Sequence, residues 1–259
     1  MNKNLSHSKY EAKPILNKVP EITLFFWIIK ILTTGMGEVT SDYLATHIDP
    51  VIAVAVTGLC LISALAVQLL IRKYVAWIYW LNVVMVSIFG TMAADVLHVG
   101  FGIPYLVSTM FFVIALTIIF ITWYVSEKTL SIHSIFTRRR ELFYWATVLT
   151  TFALGTAAGD MTATTMNLGY FFSGVIFASL IAIPAIGYWK FGLNEIFAFW
   201  FAYILTRPLG ASFADWMGVP VSRGGLGIGT GVVSLGLTII IFCLVGYMAL
   251  TRKDIKENE

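Results

Sequence analysis

Trp145-Ala146-Thr147-Val148-Leu149-Thr150-Thr151-Phe152-Ala153-Leu154-Gly155-Thr156-Ala157-Ala158-Gly159-Asp160 places a glycine ten residues and an aspartate fifteen residues after a tryptophan. The same spacing recurs at Trp27, Gly37, Asp42, at Trp80, Gly90, Asp95 and at Trp200, Gly210, Asp215. A recurring register of this kind marks an internal repeat, here fourfold.

The surroundings of the repeat decide its class. Hydrophobic residues make up 58% of the chain and charged residues 12%, and the charges collect between apolar runs rather than along amphipathic faces. Eight such runs fall at about 21–46, 50–71, 74–98, 103–125, 141–165, 168–189, 194–217 and 229–250, each long enough to cross roughly 30 Å of hydrocarbon. They are continuously apolar, which fits helices and not the alternating strands of a membrane barrel. The expected fold is therefore an all-α membrane protein of eight transmembrane helices, arranged as four parallel two-helix repeats around an axis along the membrane normal. Its expected parts are a polar cytoplasmic tail over residues 1–19, one membrane domain over 20–250 with repeats at about 20–72, 73–126, 140–189 and 193–250, and a second tail over 251–259. Residues 1–19 are too polar for a secretory signal.

Basic residues set the orientation. Lys3, Lys9, Lys13, Lys18, Arg72, Lys73, Lys128, Arg138, Arg139, Arg140, Lys190, Arg252, Lys253 and Lys256 fall on one side of this topology, and Arg223 stands alone on the other. The positive-inside rule then puts both termini in the cytoplasm, with the bacterial cytoplasmic (inner) membrane as the expected location. The same rule accounts for the net charge of +3, so no nucleic-acid partner is expected. The expected partners are the lipid bilayer and a small inorganic cation, and the reading leaves room for a homo-oligomer.

With every repeat returning to its starting side, the four aspartates share one depth, about 22 Å beyond their tryptophans at 1.5 Å per residue. Trp27, Trp80, Trp145 and Trp200 read as interface anchors in an aromatic belt. Glu21, Glu141 and Glu195 suit helix N-termini. Counting back from the aspartates in steps of four picks out Glu38, Thr34 and Lys30, then Thr91 and Ser87, then Thr156, then Ala211 and Arg207. Residues four apart share a helical face, so the odd-numbered helices carry polar stripes and should line an interior, while the apolar even-numbered helices should meet lipid. Gly37, Gly90, Gly155 and Gly210 lie about 140° around from the aspartates and read as helix-packing positions.

Charges inside a bilayer are expensive and usually mark a pathway or a partner. Asp42, Asp95, Asp160, Asp215 and Glu38 are the expected ion-binding or pore residues, with Arg207 and Lys30 setting the local charge and Arg207 placed to pair with Glu38. Thr34, Ser87, Thr91 and Thr156 complete the polar stripe. Carboxylate oxygen suits hard ions, so Asp42, Asp95, Asp160 and Asp215 are also the candidate metal ligands, with a divalent cation such as Mn²⁺ as substrate and no resident cofactor. The expected function is a cation transporter or channel, for a divalent metal or a proton-coupled ion; the alternative is a non-transporting scaffold or sensor whose aspartates tie helices together. An enzyme is not expected, since Ala157-Ala158-Gly159-Asp160 lacks the first glycine of the intramembrane aspartyl protease motif.

Other features are weaker. His47 and His98 follow Asp42 and Asp95 and could extend a metal site, but repeats 3 and 4 have no equivalent. Cys60 and Cys243 lie within spans and read as packing residues. The glycine-rich Arg223–Gly231 stretch follows no strand, which fails the context of a nucleotide-binding loop and suggests a flexible or re-entrant turn.

Thr33-Thr34-Gly35-Met36-Gly37-Glu38, Leu154-Gly155-Thr156-Ala157-Ala158-Gly159-Asp160 and Thr206-Arg207-Pro208-Leu209-Gly210-Ala211-Ser212, set in the fourfold repeat, resemble a group of bacterial multi-pass membrane proteins of unknown function built from four tandem two-helix repeats. The resemblance runs from about residue 20 to about residue 250 and implies the fold, but no chemistry. Repeat 4 departs from the pattern, with Ala211 in place of Glu38, Thr91 and Thr156, and with Arg207 on the polar face. A site biased toward the junction of repeats 1 and 4 is the consequence.

Overall fold

A computed structural model describes residues 17–255. Lys3, Lys9, Lys13 and Lys256 lie outside the described residues. Eight long helices follow one another: α1 (Leu24–His47), α2 (Pro50–Leu70), α3 (Ala76–Asp95), α4 (Tyr105–Glu127), α5 (Arg138–Asp160), α6 (Gly169–Phe191), α7 (Glu195–Gly218) and α8 (Thr230–Thr251). No strand occurs among the described residues. Seven of the helices are long and apolar enough to cross a membrane, counting the π-helical turns that extend α3 and α5. The exception is α1, whose apolar run is diluted by Lys30, Glu38 and Asp42.

Local chemistry starts several helices where they start. Thr23, Asp49, Thr137 and Asn194 accept hydrogen bonds from backbone amides of the first turns of α1, α2, α5 and α7, and Pro50 stands at the first position of α2, where its missing N–H costs nothing. Lys128, Gly192 and Arg252 close α4, α6 and α8 in the left-handed conformation.

The odd helices form the inside. α1 packs on α3, α3 on α5, α5 on α7, and α7 on α1, so the four close into a ring. The even helices surround it, but each leans chiefly on the next repeat's odd helix: α2 on α3, α4 on α5, α6 on α7 and α8 on α1. The two helices of one repeat touch far less, so each repeat is clasped to its neighbour rather than folded on itself. Their outer faces expose Val51, Leu59, Ile62, Phe111, Ile118, Phe172, Leu235 and Phe242, an apolar surface far beyond what a soluble protein tolerates and one suited to a lipid bilayer.

One residue register holds the ring shut at the start of the odd helices. The aromatic residue before each tryptophan meets the tryptophan of the next repeat: Phe26 on Trp80 at 5.8 Å, Tyr79 on Trp145 at 5.6 Å, Tyr144 on Trp200 at 6.3 Å and Phe199 on Trp27 at 5.7 Å between ring centroids. The tryptophans, read from their depth as interface anchors, thus also pack from repeat to repeat. Trp80, Trp145 and Trp200 are buried and Trp27 half-buried, because the cyclic contact turns the rings toward one another and away from lipid. Tyr79 and Tyr144 close the middle, their hydroxyls 2.5 Å apart.

A second register sets the spacing higher up. A Cβ added at Gly37 would lie 1.7 Å from the Ser87 hydroxyl oxygen, at Gly90 2.8 Å from Phe152 Cβ, at Gly155 2.2 Å from Arg207 Cγ and at Gly210 1.8 Å from the Thr34 hydroxyl oxygen. Each glycine thus receives the residue seven places after the next repeat's tryptophan.

The connections hold two further findings. Lys18 and Val19, within the expected polar tail, are buried; Lys18 Nζ is ion-paired with Glu141, which also accepts from Gln68 Nε2 at 3.0 Å. At the other terminus Asp254 is buried and accepts from the Tyr74 hydroxyl at 2.6 Å, and burial together with that carboxylate pushes the Tyr74 pKa up. The glycine-rich stretch is not a flexible loop: Leu226, Gly227, Ile228 and Gly229 donate backbone hydrogen bonds to Trp216, Val219, Met217 and Gly218 at the end of α7.

Candidate functional site

Positions four apart on the odd helices stack into layers along the ring, about 6 Å between layers. The layer three residues after the tryptophans holds Lys30, Val83, Val148 and Tyr203, all within the closed part of the ring. Lys30 Nζ is fully buried, makes no hydrogen bond, and sits 3.8 Å from the Phe152 ring centroid and 4.1 Å from that of Tyr203. Aromatic faces attract a cation but do not replace its hydration. Lys30→Met, which keeps the chain length and removes the charge, is expected to stabilise the fold by on the order of 1–3 kcal/mol in reversible unfolding; a loss of stability would show that the ammonium is satisfied where it lies.

The next layer holds Thr34, Ser87, Phe152 and Arg207, and the one above it Glu38, Thr91, Thr156 and Ala211. Ala211 is the small member, and the space beside it is where the side chain of Arg207, one turn below on the same helix, rises. Arg207 Nη2 donates to Glu38 Oε2 at 2.6 Å, to the Thr156 hydroxyl at 2.7 Å and to the Thr91 hydroxyl, while Nη1 donates to the Thr34 carbonyl at 2.8 Å. One guanidinium thereby joins all four odd helices. The residue is wholly buried and Glu38 nearly so. Phe152 lies between the two cations, 5.3 Å from the Arg207 guanidinium carbon.

Above this plug the ring opens into a cavity of about 820 Å³, lined by Glu38, Ser41 and all four aspartates. Asp215 is buried, while Asp42, Asp95 and Asp160 are half-buried. After Asp95 and Asp160 the helices pass into π-helical turns, Val96–Gly100 and Met161–Thr165, a distortion found often at functional sites. Tyr105, Tyr170 and Arg223 line the mouth. Arg223 donates to the Tyr170 hydroxyl at 3.1 Å, and Tyr170, with Asp42 and Asp215 behind it, holds the guanidinium's pKa above its ordinary value.

The carboxylates do not gather as an even ring of aspartates. Among the described residues, the group whose ligand oxygens all lie within 4.8 Å of one another is Glu38, Asp160 and Asp215. Asp42 and Asp95, also among the expected metal ligands, line the cavity outside that group. The fourfold register fails at that layer because Glu38 is longer than its counterparts Thr91 and Thr156 and reaches into the space between repeats 1, 3 and 4. His47 and His98 are turned to backbone carbonyls, Tyr43 at 2.8 Å and Ile103 at 2.5 Å, and neither lines the cavity. Cys60 and Cys243 are exposed on the outer helices.

A family model described as Repeat of Unknown Function (DUF347) matches residues 25–74, 78–129, 143–192 and 198–254. The chain belongs to this family. No curated protein and no solved structure matches the chain. Each DUF347 repeat contributes one odd helix to the ring and one even helix that clasps the following repeat. The four repeats are equivalent in their tryptophans, glycines and aspartates and unequal in the plug, where repeat 1 supplies Glu38, repeats 2 and 3 supply threonines and repeat 4 supplies Arg207.

Ser41, Tyr105, Tyr170 and Arg223 are lining residues that the repeat register does not select. Ser41 sits three places after Glu38 on the same face, a signal that was available in the sequence; the other three come from connections and even helices, whose approach to the ring is tertiary.

Proposed function

We propose that this protein is an integral membrane transporter for a small cation. In this reading all eight helices span the bilayer, the four repeats run parallel around an axis along the membrane normal, and both termini lie in the cytoplasm of a bacterial inner membrane. The observation that carries the reading is the convergence of five carboxylates on one cavity, of which Glu38 is bound to Arg207 below it, with Arg223 also on the cavity wall. Intramembrane acidic groups lining a cavity favour cation entry. Arg72, Lys73, Lys128, Arg138, Arg139 and Arg140 belong to the ends and connections beside the aromatic belt, and Arg223 to the cavity end, so the positive-inside rule turns the cavity outward.

Below the cavity, passage requires the Arg207 plug, Lys30 and the aromatic belt to part. That arrangement favours a gated path or carrier over a standing pore. The same buried, hydrogen-bonded Arg207 plug is the observation favouring the second reading, a scaffold or sensor in which the aspartates serve structure alone. Cation flux into proteoliposomes separates the two, screening Mn²⁺, Mg²⁺, Ca²⁺, Na⁺, K⁺ and H⁺. Flux through the wild type and at least a roughly tenfold loss in folded Asp160→Asn is the expected result. Well-folded wild type that passes none of these ions would leave the scaffold or sensor standing.

A further inference from the structure

We infer that Glu38, Asp160 and Asp215, together with the Ser41 hydroxyl, form one off-axis site for a single divalent, oxygen-preferring cation, with Arg207 held on the edge of that site as its fixed counter-charge. The inference rests on the transporter reading and narrows it to a substrate class and three of the five acidic residues.

Geometry gives the first argument. Ligand oxygens within 4.8 Å of one another can share one ion, since bonds of about 2.1–2.5 Å set opposite ligands roughly 4–5 Å apart. The second argument comes from atoms left without partners. Asp215 Oδ1 and Ser41 Oγ make no hydrogen bond, and their residues are 5% and 0% exposed. Both residues line the cavity, and buried polar atoms are rarely orphaned unless a ligand or water completes them. The hydrogen bonds reaching Glu38 from Arg207, Thr91 and Thr156 all end on Oε2, which leaves Oε1 for the cavity.

Charge narrows the ion. Three carboxylates offset by the guanidinium on Glu38 leave two negative charges, the complement of one divalent cation. The donor set is all oxygen, and both nearby histidines are tied to backbone carbonyls, so the site suits Mn²⁺, Mg²⁺ or Ca²⁺ rather than a metal that prefers nitrogen or sulfur. Asp42 and Asp95 act from the cavity wall by attraction, without coordinating.

The test is Mn²⁺ binding to the purified full chain in lipid nanodiscs, followed by calorimetry and by electron paramagnetic resonance of the bound ion. One Mn²⁺ per chain is expected. Asp160→Asn and Asp215→Asn should each weaken it by roughly 100-fold through the loss of a charged ligand, and Asp42→Asn and Asp95→Asn by about threefold through lost attraction alone. If Asp215→Asn fails to fold, the half-buried Asp160 decides the matter. Equal losses at all four aspartates would overturn the three-carboxylate site in favour of a symmetric ring while leaving transport intact. Flux of a monovalent cation with no Mn²⁺, Mg²⁺ or Ca²⁺ binding would overturn the divalent site and spare the transporter. Absence of both flux and binding would overturn the two together.

Discussion

Arg207→Leu is expected to destabilise the protein by about 3–5 kcal/mol, the usual cost of stranding one member of a buried ion pair. Arg207 bonds to Glu38, Thr91, Thr156 and the Thr34 carbonyl at once, so its removal leaves a nearly buried carboxylate among groups that cannot neutralise it. The second half of the test is the double substitution Arg207→Leu with Glu38→Leu. Removing both charges should recover most of the loss, because an apolar pair of similar volume avoids the desolvation that the ion pair suffered. Reversible unfolding in mixed lipid–detergent micelles reads both. A double variant as unstable as the single one would place the energy in the bonds from Arg207 to the threonines, not in the pairing with Glu38.

Gly37→Ala is the other large effect. Its new Cβ would fall 1.7 Å from the Ser87 hydroxyl oxygen, 2.4 Å from Ser87 Cβ and 2.9 Å from the Ser87 backbone carbon. Turning the hydroxyl away cannot cure the last two contacts, so α1 and α3 must separate, and a closed ring passes that shift on to α5 and α7. A cost of about 3 kcal/mol or more is expected, at the upper end of overpacking penalties. Gly236→Ala is the matched control, since nothing lies within 4 Å of its added Cβ; it should be neutral or stabilise by up to about 1 kcal/mol through helix propensity. Adding Ser87→Gly to Gly37→Ala should restore part of the loss. A Gly37→Ala protein as stable as the wild type would mean that the odd helices do not approach as closely as the glycine register requires.

These two effects differ in how far the sequence alone foretells them. The spacing of tryptophan, glycine and aspartate picks out Gly37 without any structure, and the departure at Arg207 and Ala211 is equally plain in repeat 4. What the spacing leaves open is the partner. Gly37 could have met any helix, and Arg207 could have turned to lipid headgroups or water, because a helical period specifies face and depth but says nothing about the neighbour on that face. The tryptophans show the same limit: their depth near one end of the odd helices suits an interface belt, and only the contact of each with the aromatic residue of the preceding repeat turns them inward.

The sequence by itself determined a fourfold repeat of paired helices, the polar faces of the odd helices, the apolar even helices and an aspartate at the same register of each repeat, since all of these follow from local periodicity and from the cost of polar groups in hydrocarbon. The tertiary structure alone decided that each even helix clasps the next repeat, that α7 closes on α1, and that Glu38 with Asp160 and Asp215, rather than four equal aspartates, draws together. Those outcomes depend on ring closure, which brings residues far apart in the chain to one point. There the length of a single glutamate and the smallness of a single alanine, Glu38 and Ala211, break a symmetry that the repeat otherwise keeps.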